Sequence, residues 1–192
     1  KTHTVGGQIQ RNVGDKTFYA NPLYHFVPNG SDVVALRKVV TTEACNKCHT
    51  ALGFHGGGRR EVGLCILCHN PQSTDPDTGN TVDMTTMIHK IHMGAELPSV
   101  QAGKPYQIVG HQQTVADFSE VEFPMDHRNC AACHAGTQGS VYKTAPSRRA
   151  CGSCHDNVNF QTGEGHGSGN FPQQDDSMCT ACHAAEGPEF GI

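Results

Sequence analysis

The chain has 192 residues, of which 36% are hydrophobic and 6% aromatic, with no Trp. Lys and Arg number 14 against 18 Asp and Glu, a formal net charge of −4, and the basic residues are scattered, which excludes the clustered basic face of a nucleic-acid-binding protein. No apolar run reaches membrane-spanning length, and this much apolar side chain is too little to build an ordinary core for a chain this long.

Residues 1–44 contain no Cys. Val5–Gln10, Thr17–Ala20 and Val33–Val40 carry β-branched residues between turn signals, and Asn21-Pro22 and Pro28-Asn29-Gly30-Ser31-Asp32 read as turns. The expectation is a short β-rich lead-in of two or three strands, too small to be an independent domain. The chain starts at Lys1, from which removal of a leader is expected.

Residues 45–192 are organised by one repeated pattern, Cys-x-x-Cys-His. It occurs at Cys45/Cys48/His49, Cys65/Cys68/His69, Cys130/Cys133/His134, Cys151/Cys154/His155 and Cys179/Cys182/His183, and the five copies use all 10 cysteines. Each copy reads as a c-type haem attachment that begins or sits on a short helical turn: two thioethers fix the porphyrin and the adjacent imidazole ligates the iron. Zinc sites also use Cys-x-x-Cys pairs, and a secreted chain with this many Cys could be disulfide-bonded. Neither rival predicts a His at one fixed offset five times with no Cys left over. Over 192 residues, five haems leave about 38 residues each, so the porphyrins take the place of a core and the polypeptide is a thin wrapping.

Between the first two motifs, Leu52 to Arg60 holds His55 in a run of glycines that lets backbone approach a flat ring. Asp75, Asp77 and Asn80 loosely resemble a calcium loop, but Gly79 stands where that spacing wants Asp or Asn; a solvated turn is the stronger reading and calcium the weaker one. Asp83–Met93 is the clearest helix, capped by Asp83 and ended by Gly94. His89 and His92 share one face of it. A short strand is expected at Tyr106–Val109. Residues 124–192 carry three motifs, followed by Ala184–Ile192, which has no His. The expected fold class is a multihaem cytochrome: short helices and coil wrapped around five haems, with a small β-rich N-terminal segment.

Eight histidines lie outside the motifs: His3, His25, His55, His89, His92, His111, His127 and His166. Five irons need a sixth ligand, so imidazole alone can satisfy them all. Bis-His ligation gives lower potentials than His/Met and leaves no open position for a substrate, which favours electron transfer over bond chemistry. His55, His89, His92 and His166 are the best placed. The fifth ligand is open among His25, His127, His111 and His3. Arg59, Arg60, Arg128, Arg148 and Arg149 are candidates to pair with haem propionates.

Several stretches carry a resemblance to a known family. They are Phe26-Val27-Pro28-Asn29-Gly30-Ser31, Cys45 to Arg59 with its Leu52-x-x-His55-Gly56-Gly57 centre, and Cys68-His69-Asn70-Pro71. Met87-Ile88-His89-Lys90-Ile91-His92, Asp117-Phe118-Ser119-Glu120-Val121 and Arg128 to His134 complete the set. The chain resembles a pentahaem domain of the outer-membrane multihaem cytochromes of the MtrC/OmcA type, over residues 21–183. The resemblance implies a closely spaced chain of bis-His haems that conducts electrons at the cell surface, with His55, His89, His92 and His166 as distal ligands. It implies other cytochromes and extracellular electron acceptors as partners, and an extracellular or cell-surface location. Family members commonly carry a further His after the last motif of such a domain. Its lack in Ala184–Ile192 raises the expectation that a neighbouring copy supplies the ligand through His3 or His25, building a filament. The alternatives are a periplasmic pentahaem shuttle and, more remotely, a multihaem reductase. The reductase is disfavoured because all five motifs end in His, whereas an open catalytic haem is often marked by Lys there.

Overall fold

The computed structural model describes residues 1–183. The expectation placed on Ala184–Ile192 lies outside the described residues. The chain divides into two compact units, one of Lys1–Asn70 with Ala131–Ser140, the other of Pro71–Cys130 with the chain from Val141 onward.

The first unit opens with four strands, β1 (His3–Gly6), β2 (Ile9–Val13), β3 (Lys16–Ala20) and β4 (Leu23–Phe26). β1 pairs antiparallel with β4, and β2 with β3 across the Gly14–Asp15 turn. The single strand expected over Val5–Gln10 is thus two strands, broken at Gly7: its N–H still donates to the Pro22 carbonyl at 3.0 Å, but Pro22 opposite has no N–H to return the bond. The strand expected over Val33–Val40 does not form. Its backbone is used by a loop instead: Lys38 N–H donates to Gln138 Oε1 at 2.8 Å, while Gln138 N–H and Gly136 N–H donate to the Lys38 and Val39 carbonyls. β-branched residues favour a strand only where a partner strand is available.

Helix α1 (Thr42–Cys45) is capped by Thr41, whose Oγ1 accepts from Ala44 N–H. Helix α2 (Val62–Cys68) starts at Glu61, whose own side chain makes no cap bond. Thr42 serves in its place: its Oγ1 accepts from Val62 N–H at 3.0 Å and its hydroxyl donates to Glu61 Oε2 at 2.9 Å. The two haem-motif helices are stitched together at their N-terminal ends.

The second unit contains helix α3 (Met84–Met93), a 3₁₀ turn at Gly94–Glu96, helix α4 (Pro98–Gln101), the hairpin of β5 (Gln107–Val109) and β6 (Val115–Asp117), and helices α5 (Val141–Thr144), α6 (Arg148–Cys154) and α7 (Cys179–Cys182). α3 is the helix the sequence expects: Asp83 Oδ1 accepts from Thr86 N–H at 3.2 Å, and Gly94 closes it at φ +42°. A side chain at Gly94 would place its Cβ 2.2 Å from the Val121 carbonyl oxygen, so only glycine fits there. α3 lies against α6. Asp83 meets Arg149 at 3.8 Å at one end, and Lys90 pairs with Asp156 at the other. Both contacts join like ends, so the helices run in the same direction.

Among the described residues only Ala44, Leu52, Val62, Leu97 and Tyr106 are buried apolar side chains. That is far short of an ordinary core for this length and agrees with the composition.

Candidate functional site

Four of the Cys-x-x-Cys-His motifs share one backbone bond. In the first, second, fourth and fifth, the motif His N–H donates to the carbonyl of the first Cys. The distances are 3.0 Å for His49, 2.9 Å for His69, 3.0 Å for His155 and 2.8 Å for His183. One turn returns residue i+4 to the side of residue i, so each imidazole leaves the chain on the side of its first thiol.

Each motif begins or sits on a short helical turn, but at two of them the turn is not α-helical throughout. In the third, Cys130–Ala132 is a 3₁₀ turn. In the first, α1 ends at Cys45, so Cys48 stands outside the helix that should carry it. There the Cys48 N–H donates to the Cys45 carbonyl at 3.2 Å, a tighter i to i+3 closure than the α-helical turn. The physical reason lies in Asn46, whose Oδ1 accepts from the Leu52 N–H at 2.7 Å. This side-chain bond offers the chain a local alternative to continuing the helix.

The attachment cysteines are also unequally covered. Cys48, Cys68, Cys133, Cys151 and Cys182 are exposed, while Cys45, Cys65, Cys130, Cys154 and Cys179 are half-buried. In every motif but the fourth it is the second Cys that the polypeptide leaves open. All 10 cysteines lie in the described residues and none is in a disulfide. Among the described residues, no group of three or more His, Cys, Asp or Glu converges as a structural zinc site requires.

The thiols also show which motifs are neighbours. Burial pushes the Cys45 thiol above its ordinary value, and the nearby Cys133 and Cys65 add to the shift. This joins the first motif to the third and to the second within the first unit. In the second unit, Cys151 is raised by burial and then by Cys179 and Cys130, and Cys154, pushed to about 11, by burial and then by Cys130. The fourth motif therefore has the fifth and the first cysteine of the third beside it.

His55 sits in the loop closed by mutual Phe54–Arg59 backbone bonds at 3.0 and 3.2 Å. His55, Gly56 and Gly57 all have positive φ, at 50°, 76° and 80°. The loop turns the His55 ring toward the second motif's His69, with ring centroids 5.9 Å apart and planes at 37°. Burial, then the neighbouring Arg59 and His69, push the His55 imidazole below its ordinary value and favour the neutral form that carries a lone pair. His166 stands in the same relation to the fifth motif's His183, with centroids 6.2 Å apart and planes at 25°. An imidazole nitrogen would bond a metal at about 2 Å, so two rings that shared one iron would have centroids about 6 Å apart, the separation that both pairs have.

The ring-nitrogen bonds sort the remaining histidines. His166 Nδ1–H donates to the Phe171 carbonyl at 2.8 Å, and His92 Nδ1–H to the Ile88 carbonyl at 2.9 Å. Each bond fixes the tautomer whose lone pair is on Nε2, the arrangement that orients a metal-ligating His. His127 has the opposite arrangement: its Nε2–H donates to the His92 carbonyl at 3.2 Å. Its outer nitrogen is therefore committed to the backbone at the end of α3. His25, in β4, shares a hydrogen bond between Nδ1 and Thr4 Oγ1 at 2.9 Å. It lines a cleft of about 660 Å³ with Val5, Tyr24, Phe26 and Pro28. His89 lies in α3, one residue before Lys90. His3 lies in β1 beside the Phe26 ring at 5.7 Å, and His111 in an exposed 3₁₀ turn.

The arginines named from sequence have protein partners. Arg128 binds Asp126 through Nε and Nη2, and Arg148 binds Asp176 and the Gln173 and Gln174 carbonyls. Arg149 faces Asp83, Arg59 Nε donates to Gln8 Oε1, and Arg60 lies over the Tyr19 ring at 5.0 Å. Asp75 spends its carboxylate on Thr78 hydroxyl, Val109 N–H and Asp77 N–H at 2.5, 2.8 and 2.9 Å, an internally satisfied turn rather than a cage of outward-facing oxygens. Sequence reasoning missed Asp156 and Ser99. The available signal was the Asp that directly follows the fourth motif.

Residues 37–190 match the family described as outer membrane cytochrome MtrC/MtrF-like, domains II/IV. The chain is 29% identical over 156 residues to the multiheme cytochrome MtrC of Shewanella baltica (strain OS185), covering 78% of this chain and 19% of that protein. The crystal structure of the outer membrane decaheme cytochrome OmcA superposes with a TM-score of 0.71 at 30% identity, over 96% of this chain and 27% of that one. The crystal structure of MtrC from Shewanella baltica OS185 gives 0.56 at 26% identity, over 86% and 23%. The chain thus spans about a fifth to a quarter of the length of these relatives. The short helices and small two-stranded sheets are those of this multihaem cytochrome fold. No helix among the described residues is long and apolar enough to cross a membrane.

Proposed function

We propose, since this chain belongs to the MtrC/MtrF-like family of outer membrane cytochromes, that it carries five covalent haems c and passes electrons along them outside the cell. The observation that carries this reading is the two imidazole pairs, His55 with His69 and His166 with His183, whose ring centroids lie at the separation that an iron between them would require. When bound, the haems supply one-electron iron chemistry; the chain's part is to fix ligands, spacing and polarity.

In this reading each Cys-x-x-Cys pair, Cys45 with the exposed Cys48 included, anchors one porphyrin, and each motif His holds one face of its iron. His55 and His166 take the opposite faces at the second and fifth motifs, and His89 and His92 serve two of the others. For the fifth position the ring-nitrogen bonds favour His25 over His127, because the His25 Nδ1 contact leaves the outer nitrogen to act as ligand toward the cleft. The thiol neighbours support a second–first run beside Cys133 in one unit and a fourth–fifth run beside Cys130 in the other. Closely spaced six-coordinate haems suit conduction rather than substrate turnover, so the protein is an electron carrier and not an enzyme. Its partners are other cytochromes, extracellular acceptors and, where His25 ligates across copies, a second copy of this chain.

The test is mass spectrometry and electron paramagnetic resonance of the secreted holoprotein. Five haem adducts, all low-spin and unreactive to carbon monoxide, are expected. Fewer adducts, or a high-spin haem that binds carbon monoxide, would overturn the reading. Sedimentation decides the partner question: a polymer that becomes monomeric in His25→Ala places that ligand in trans, and a wild-type monomer places it in cis.

A further inference from the structure

The fourth motif is tied to helix α3 by charges that the haem reading leaves unused. Asp83 and Lys90 lie seven positions apart on α3 and at its cap; Arg149 and Asp156 lie seven apart on α6 and just beyond it. The signs are reversed, so acid meets base at both ends. Seven residues are two helical turns, so the two contacts select one parallel register. The same offset sets His89 level with the motif histidine His155. Slippage by one position would separate both pairs.

The Lys90–Asp156 end is the stronger. Both side chains are nearly buried, 14% and 9% exposed. Asp156 also accepts from Ser99 N–H at 2.9 Å and from Ser99 Oγ at 2.5 Å, which brings in helix α4. Lys90 Nζ lies over the ring of Tyr106, itself 2% exposed, at 5.1 Å. A carboxylate and an ammonium in so dry a place persist only with such complete pairing.

We propose that Asp156 and Lys90 are positioning residues for the haem of the fourth motif: their ion pair, locked by Ser99, sets the register of α3 on α6 and thereby the ligation geometry and midpoint potential of that haem. This rests on the haem reading above. Removing the anion leaves Lys90 as a buried unpaired cation and frees α3 to shift, so both the ligand field and the local charge change at one haem and not at the others.

The experiment compares the wild-type holoprotein with Asp156→Asn and Ser99→Ala by redox titration and electron paramagnetic resonance. In Asp156→Asn, one haem's share of the low-spin signal is expected to shift its g-values or become high-spin, and one step of the titration moves while the rest superimpose. Ser99→Ala, which keeps the ion pair, shifts the same signal less. Lys90→Arg, which keeps the charge, leaves the spectrum of wild type largely intact. Unchanged g-values and titration steps in both Asp156→Asn and Ser99→Ala would overturn the proposal, and where Asp156→Asn does not mature, Ser99→Ala alone decides it. Failure of the haem reading is separately visible, since it appears as a wild-type mass short of five haems.

Discussion

His166 holds its ring 6.2 Å from that of His183, centroid to centroid, and its Nδ1–H is spent on the Phe171 carbonyl. One nitrogen is anchored to backbone, which leaves the other to act as a ligand. His166→Ala should therefore leave the covalent haem count unchanged and convert one haem to a high-spin, carbon-monoxide-binding form. His166→Met should keep that haem low-spin and raise its potential, because thioether ligation favours the reduced iron. Optical redox titration reads both.

His55 occupies a backbone conformation that costs a non-glycine residue about 1 kcal/mol. Its presence in a run with Gly56 and Gly57 implies that the imidazole is worth more than the strain. His55→Gly and His55→Ala should both lose the second motif's distal ligand. The Gly variant should melt higher than the Ala variant by the equivalent of about 0.5–1 kcal/mol, measured by thermal denaturation of the two holoproteins.

His127 and His25 are distinguished by what their ring nitrogens already bind. His127→Ala is expected to retain every low-spin haem, losing only the contact at the end of α3, about 1 kcal/mol of stability. His25→Ala is expected to yield one five-coordinate haem. A reversed result, seen in the carbon-monoxide difference spectrum, would assign the fifth ligand to His127 instead.

Acid should loosen the second unit through Asp75. The bonds from Thr78 hydroxyl and Val109 N–H, outweighing burial, hold its carboxyl below the ordinary value, with Asp77 N–H adding to them. A depressed folded-state pKa means that the stabilisation is fully present above the unfolded value, about 3.9, and is lost as pH falls through the folded one. Thermal midpoints should be flat from pH 7 to about 5 and fall below about 4, less steeply in Asp75→Asn. Added calcium should leave the midpoint of the wild type unchanged, since the Asp75 oxygens are already bonded within the turn.

Gly94→Ala should destabilise the protein by at least about 1–2 kcal/mol in chemical denaturation. The backbone there has φ +42°, and the new Cβ would collide with the Val121 carbonyl oxygen.

The Cys-x-x-Cys-His turns, helix 84–93 with both its caps, and the short strand 107–109 were legible because each depends on residues adjacent in the chain. A Cys-x-x-Cys-His turn closes its own i to i+4 bond, and Asp83 caps the helix it precedes. The exit of Cys48 from its helix was less legible, because it turns on which backbone N–H the Asn46 side chain finds. Val33–Val40 misled because a strand needs a partner, and the partner here is the loop around Gly136–Gln138, about a hundred residues away. The split of Val5–Gln10 had a different cause: Pro22, opposite Gly7, has no N–H to continue the ladder.

The sequence alone determined five Cys-x-x-Cys-His motifs that use every Cys, and an apolar content too small to close an ordinary core. It also limited the imidazoles open to distal ligation to eight histidines. Only the tertiary structure distinguished among these, because it fixes which ring nitrogen is already bonded and which motif imidazole lies nearby. It separated His25 from His127, brought His55 to His69 and His166 to His183, and revealed the Lys90–Asp156 ion pair, whose two residues are 66 positions apart in the chain.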